Sequence, residues 1–155
     1  MNLNEEVELL KGVPILSKIE PAKLKLLAFT SERVNYGEGQ EVCHQGDPGD
    51  AMYVILNGVA DVLIDTPNGQ LRVAEMKKND FLGEIAILCD VPRTATIKAR
   101  EPLSTLKISK DTFYRMVGEF PQMAIEIMRE LAHRVEDTNK KLREATASKA
   151  AWPTR

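Results

Sequence analysis

Apolar positions along the chain change their period twice, near residue 33 and again near residue 109. Before residue 33 the spacing is helical. Val7, Leu9 and Leu10 lead up to a break at Gly12 and Pro14, and Pro21 then opens a second helix at the first-turn position that tolerates a missing N–H. Leu24, Leu26, Leu27 and Phe29 give that helix its apolar side. From Arg33 onward, short β-like runs take over at Arg33–Tyr36, Glu41–His44, Ala51–Leu56, Val59–Ile64 and Leu71–Met76. Turns at Gly37–Gly39, Gly46–Asp50, Asn57–Gly58 and Pro67-Asn68-Gly69 separate them, the last being the strongest short hairpin signal in the chain. Two further alternating runs follow at Thr94–Arg100 and Leu103–Ile108.

Helical spacing then returns. Ser109 reads as an N-cap with Asp111 in the first turn, and the helix it starts is expected to stop near Gly118. Pro121 opens the last and longest helix, reaching about Ala145. Along it Ala124, Met128, Leu131, Val135, Thr138, Leu142 and Ala145 follow spacings of four and three, while Phe120, Met123 and Ile127 widen the apolar face only in the first half. The first half can therefore pack on the strands, and the second keeps a narrow seam. That seam suits a second copy in a parallel coiled coil, a lid closing over a ligand, or plain exposure on the surface.

The pattern predicts an α+β chain built on a β-roll, a double-stranded β-helix of jelly-roll type with about eight short strands. One domain is expected over 1–145: N-terminal helices in 1–32, the roll in 33–108, two C-terminal helices in 109–145, then a flexible tail over 146–155.

Composition narrows the classes. Of 155 residues 43% are hydrophobic and 28% charged, as in a soluble globular domain, and no apolar run has the length of a membrane span. A cytoplasmic protein with reduced Cys43 and Cys89 is expected. The net charge of −2 offers no global field for nucleic acid. No P-loop is present, and two distant histidines do not assemble a metal-dependent hydrolase, so no catalytic activity and no metal are expected. Asp47 and Asp50 lack the further acidic ligands of a calcium loop and read as turn caps.

The chemistry concentrates at residues 81–97. Gly83 lets the backbone bend and a ligand approach. Glu84–Leu88 can form one helical turn whose free N–H groups favour an anion. Pro92 presets the path into Arg93, whose planar fork suits phosphate oxygens. A carboxylate and a guanidinium bracketing a helical turn suit a ligand with a hydroxyl beside a phosphate, as in a cyclic nucleotide. An ordinary turn with a surface Glu–Arg pair is the bland alternative.

Gly-Glu-Ile-Ala-Ile-Leu at 83–88 followed by Pro-Arg-Thr-Ala-Thr at 92–96 resembles the phosphate-binding cassette of cyclic-nucleotide-binding domains. That family includes cAMP-dependent kinase regulatory subunits, cyclic-nucleotide-gated channels and the catabolite activator protein. Gln45-Gly-Asp-Pro-Gly-Asp50 with Tyr53 and Gly58, and Val13-Pro-Ile-Leu16 before the Glu-Pro helix, are similar to further parts of the pattern. The resemblance implies that Glu84 accepts from the ribose 2′-hydroxyl and that Arg93 pairs with the cyclic phosphate. Backbone N–H groups of Ala86 and Thr94 would complete the cradle beside Gly83, Ile85 and Ala95, with Leu82, Val62 and Val73 as walls for the base. The segment 132–141 looks like the activator protein's central helix, where a Thr–Ser pair meets adenine. Thr138 keeps that hydroxyl, and Asn139 stands in place of the serine with an amide that both donates and accepts. A polar residue fixing the register of the seam is the competing role for Thr138. Trp152 is read either as a cap on the base or as part of a frayed tail.

The implied function is a regulatory sensor that binds cAMP, or cGMP as a close second since Thr94 occurs with both, and passes occupancy on through its C-terminal helices. Expected partners are the nucleotide, an unidentified effector protein or domain, and a second copy along the last helix, with no direct contact to nucleic acid. Two alternatives remain: a β-roll that only dimerises, or the sensor half of a DNA-binding regulator whose helix-turn-helix is not in this stretch.

Overall fold

The run from Ala51 to Asn57 is apolar on both sides, and the computed structural model, which describes residues 2–147, shows why. As strand β3 it separates two cores. Met52, Val54 and Leu56 face a cluster built with the helices, whereas Ala51, Tyr53 and Ile55 face the interior between two sheets. Alternation of side chains along a strand makes one strand serve both.

Helix α1 (Leu3–Lys11) starts at Asn2, whose side chain accepts from the Glu5 N–H at 2.9 Å. A 3-10 turn (Pro14–Leu16) and α2 (Pro21–Thr30) follow. The strands are β1 (Glu32–Tyr36), β2 (Glu41–Cys43), β3 (Ala51–Asn57), β4 (Ala60–Thr66), β5 (Gly69–Met76), β6 (Phe81–Leu82), β7 (Thr96–Ala99) and β8 (Leu103–Ser109). They form two antiparallel four-stranded sheets, ordered β1-β8-β3-β6 and β2-β7-β4-β5. This is the expected β-roll, with α3 (Glu84–Cys89) inserted between β6 and β7. Helices α4 (Lys110–Glu119) and α5 (Pro121–Ala147) complete it. Among the described residues no helix is long and apolar enough to cross a membrane.

Three local differences from the pattern have physical causes. Strand β6 has two residues, too few to show alternation, and is held by pairing of Tyr53 with Leu82 and Val54 with Phe81. Gly118 does not end its helix. The chain leaves helical geometry at Phe120 (φ −128°, ψ 80°), because Pro121 disfavours the helical region in the residue before it. Helix α5 continues past Ala145 to Ala147, with the Thr146 hydroxyl bonded to the Leu142 carbonyl at 3.0 Å. Trp152 and the rest of the tail lie outside the described residues.

The first half of α5 packs as its widened apolar face requires. Met123 and Ile127 are buried, Leu131 packs at the margin, and Lys18 reaches Glu126 at 3.4 Å. In the second half Val135 and Leu142 stand more than half exposed.

Gly58 supports the turn between β3 and β4. Its φ is +96°, and a Cβ there would lie 2.4 Å from the Pro102 carbonyl oxygen. Gly58→Ala should lower unfolding free energy by about 1–3 kcal/mol in urea denaturation, with an unchanged m-value.

Candidate functional site

The cassette begins with a backbone kink that only glycine takes without strain. Gly83 caps α3 with φ +92°, and a Cβ on it would sit 2.5 Å from Arg93 Nη1 and 2.8 Å from the Ala51 carbonyl oxygen. Across the guanidinium, a Cβ on Gly49 would meet Ala86 Cβ at 2.5 Å and Arg93 Nε at 2.9 Å. Two glycine backbones thus flank Arg93. The main chain of Arg93 is tied to the β2–β3 loop, its N–H donating to the Asp47 carbonyl at 2.8 Å and its carbonyl accepting from Gly46 at 2.9 Å. The Tyr53 ring lies below, 5.8 Å from the guanidinium carbon.

Arg93 is only 7% exposed and Glu84 only 2%. Glu84 Oε1 accepts from Arg134 Nη1 at 2.7 Å. Arg134 comes from α5, donates through Nη2 to the Phe81 carbonyl at 2.6 Å, and lies over the Phe81 ring at 4.5 Å. Glu130, one turn earlier, is 3.6 Å from Arg134 Nε. Burial pushes the Glu84 carboxyl above its ordinary range; Arg134 is the strongest influence in the opposite direction, and Arg93 adds to it.

Two buried atoms in this network lack a partner: Arg93 Nη1 and Glu84 Oε2. A buried donor or acceptor left unpaired costs about 1–3 kcal/mol, so a pair of them in one place marks a ligand site more readily than a stability device. Both residues line one cavity of about 120 Å³, small beside the ~300–1,000 Å³ of ordinary ligand pockets. Cys43, Val62, Met76, Leu82 and Ile97 make its apolar side, while Gly83–Ala86, Arg93–Ala95 and Arg134 make the other. The arrangement can take a group that is anionic at one point, carries a hydroxyl donor at another, and is apolar beyond.

The structure brings together nine of the residues singled out in the sequence: Val62, Leu82, Gly83, Glu84, Ile85, Ala86, Arg93, Thr94 and Ala95. It does not bring Val73, Thr138 or Asn139 to the cavity. Val62 pairs with Ala74 and Leu63 with Arg72, so Val73 is the extra residue of a β-bulge and stands 39% exposed. Thr138 lies one turn beyond Arg134, and its hydroxyl bonds back to the Arg134 carbonyl at 2.8 Å. Asn139 is exposed beside it. Arg134, Cys43, Met76 and Ile97 were not foreseen. A signal for Arg134 exists, since Ile127, Leu131 and Arg134 stand at i, i+4 and i+7, which places an arginine on the buried stripe of α5.

Similar sequences and folds occur among known proteins. The model of the cyclic nucleotide-binding domain family matches residues 33–120. A cAMP-dependent protein kinase regulatory subunit of Blastocladiella emersonii is 38% identical over 110 residues, covering 70% of this chain and 27% of its own length. The chain therefore spans about a quarter of that relative. Among solved structures, the regulatory domain of Toxoplasma gondii PKA with cAMP aligns with a TM-score of 0.74 at 20% identity, covering 84% of this chain and 50% of that one. The catabolite activator protein of Thermus thermophilus aligns at 0.75 and 22% identity, covering 86% and 63%. At these identities the two structures show a shared fold.

Arg134→Ala removes the group that most opposes the burial of Glu84, so the folded-state pKa of Glu84 should rise further. A carboxyl whose folded pKa is raised binds more protons in the native state than in the unfolded state. Stability is then retained at low pH and lost as pH rises from about 4 through the raised value. The variant should be about 1–3 kcal/mol less stable than the parent at neutral pH, with the deficit shrinking toward pH 4. Urea titrations across that range measure it; a deficit independent of pH would remove the ion pair from the explanation.

Proposed function

The chain belongs to the cyclic nucleotide-binding domain family, and from that premise we propose that it is a sensor for cAMP, with cGMP as the second candidate. The observation that carries this reading is the pair of buried, unpartnered atoms on one cavity, Arg93 Nη1 and Glu84 Oε2. A cyclic nucleotide supplies one partner for each. Its phosphate is a monoanion for Arg93, and its 2′-hydroxyl is a donor for Glu84.

Each polar group then has a task. Arg93 neutralises and orients the phosphate through charge-assisted hydrogen bonds, with the backbone N–H groups of Ala86 and Thr94 beside it. Glu84 uses Oε2 for the sugar while Oε1 stays with Arg134. Val62, Met76, Leu82 and Ile97 give the base a desolvated wall, and Thr94 supplies the hydroxyl nearest to it. Thr138 and Asn139 would meet the base only if α5 closed further onto the roll. The choice of cAMP first rests on the names of the relatives: the Blastocladiella protein is a cAMP-dependent kinase subunit, and the Toxoplasma domain was crystallised with cAMP.

Output is proposed to run through α5. The same carboxylate serves the ligand and Arg134, so occupancy biases the position of that helix, a shift of population rather than catalysis. The exposed Val135 and Leu142, spaced by seven with Met128, suit a second copy of the chain. A separate effector protein or domain reads the change. Nucleotide turnover has no part in this reading, and incubation with cAMP should yield no AMP.

Calorimetric titration with cAMP and cGMP is the direct test. Arg93→Ala should weaken binding at least tenfold, consistent with about 1.5–3 kcal/mol for a hydrogen bond to a charged group, and Glu84→Gln somewhat less. No heat and no thermal shift with either nucleotide would leave a dimerising β-roll as the surviving account. A chain ending at Glu119 should bind more weakly; unchanged affinity would show that α5 takes no part in holding the ligand.

A further inference from the structure

Arg93 is a buried cation with no carboxylate in salt-bridge contact among the described residues, although Glu84 attracts it from farther off. The ion pair at the cavity runs from Glu84 to Arg134, and the Arg93 Nη1 atom has no hydrogen-bond partner. Gly49 and Gly83 confine the guanidinium on two sides, but a glycine backbone only leaves room and does not attract. The Tyr53 ring also lies close, 5.8 Å from the guanidinium carbon and itself 6% exposed. A desolvated aromatic face attracts a cation through its quadrupole.

Tyr53 is well fixed. It lies on β3 opposite Leu82 of β6, one residue before Gly83, and points into the interior between the sheets. Tyr36 shares that interior, and burial followed by the neighbouring Tyr53 hydroxyl pushes its phenol well above the ordinary value. Tyr53 is not among the residues that line the cavity, and its ring lies beside Arg93. We propose that Tyr53 is a positioning residue whose ring face holds the Arg93 guanidinium at the place where the phosphate binds. This rests on the cyclic-nucleotide reading of the cavity.

Simple core filling is the rival role, and a test has to separate the ring's electrostatics from its volume. Tyr53→Phe keeps the face and should bind 3′,5′-cyclic AMP within about twofold of the parent. Incorporating phenylalanine with one, three and five fluorines at position 53 holds the shape nearly constant while draining the face of negative charge. Affinity should fall step by step, by about three- to tenfold over the series, with the ligand-free melting temperature unchanged. Tyr53→Leu should lose a similar factor. In the ligand-free protein the Arg93 Nε–H resonance, moved by the ring current in the parent and in Tyr53→Phe, should return toward the value of an unrestrained arginine in Tyr53→Leu.

Flat affinity across the fluorinated series, or a loss that tracks melting temperature, would overturn the proposal. So would an Arg93 resonance indifferent to the ring. If Tyr53→Leu does not fold, the fluorinated series still decides. If the parent binds neither cAMP nor cGMP, the sensor reading fails by itself, and the Arg93 resonance still tells whether the ring places the guanidinium.

Discussion

Burying a guanidinium and a carboxylate in one small cavity, each with an unsatisfied atom, is the constraint on which the rest of this structure depends. The unpaired groups oppose folding, so the surrounding elements must over-determine their positions. Gly49 and Gly83 press their backbones against Arg93, which forbids a side chain at either position. The β2–β3 loop is pinned to the Arg93 main chain from both of its backbone groups. Arg134 arrives from a helix fifty residues away in sequence to satisfy one oxygen of Glu84. Strand β3 ties these together, since its two faces belong to the helix-side core and the roll interior.

Much of this was legible in the residues because local rules decide it. Alternation located seven of the eight strands, and the Pro-Asn-Gly turn located the β4–β5 hairpin. The cassette was legible because Gly83, Glu84, Pro92 and Arg93 each carry a constraint that few other residue types meet. What escaped notice depends on contacts distant in sequence. Strand β6 exists through its partner and not through its own two residues. Val73 alternates correctly with its neighbours, yet a bulge whose cause is pairing with β4 moves it out of register. Gly118 permits a helix end, but Pro121 enforces one two residues after it.

Arg134 shows the same limit from the opposite direction. On α5 it is one cation among several, and period alone places it beside Ile127 and Leu131 without saying what it meets. Its meaning comes from Glu84, whose two oxygens are divided between the last helix and the cavity. On the proposed reading, a carboxylate shared in this way would couple a helix to a binding event without any moving loop. Change at either oxygen alters the charge and orientation offered by the other.

Helix α5 begins after Phe120 and runs for 27 residues, about 40 Å at 1.5 Å per residue. Its first half is anchored, through Met123, Ile127, the Lys18–Glu126 contact and the bonds from Arg134 to Glu84 and the Phe81 carbonyl. It is a lever whose held and exposed arms are about equal in length. Pivoting it at Phe120 by about ten degrees would carry the far end through about 7 Å, and Arg134, roughly midway, through about half of that. Half of that displacement exceeds the 2.7 Å separating Arg134 from Glu84. On the proposed reading, a contact the length of one hydrogen bond would thereby be geared to a displacement longer than a helical turn.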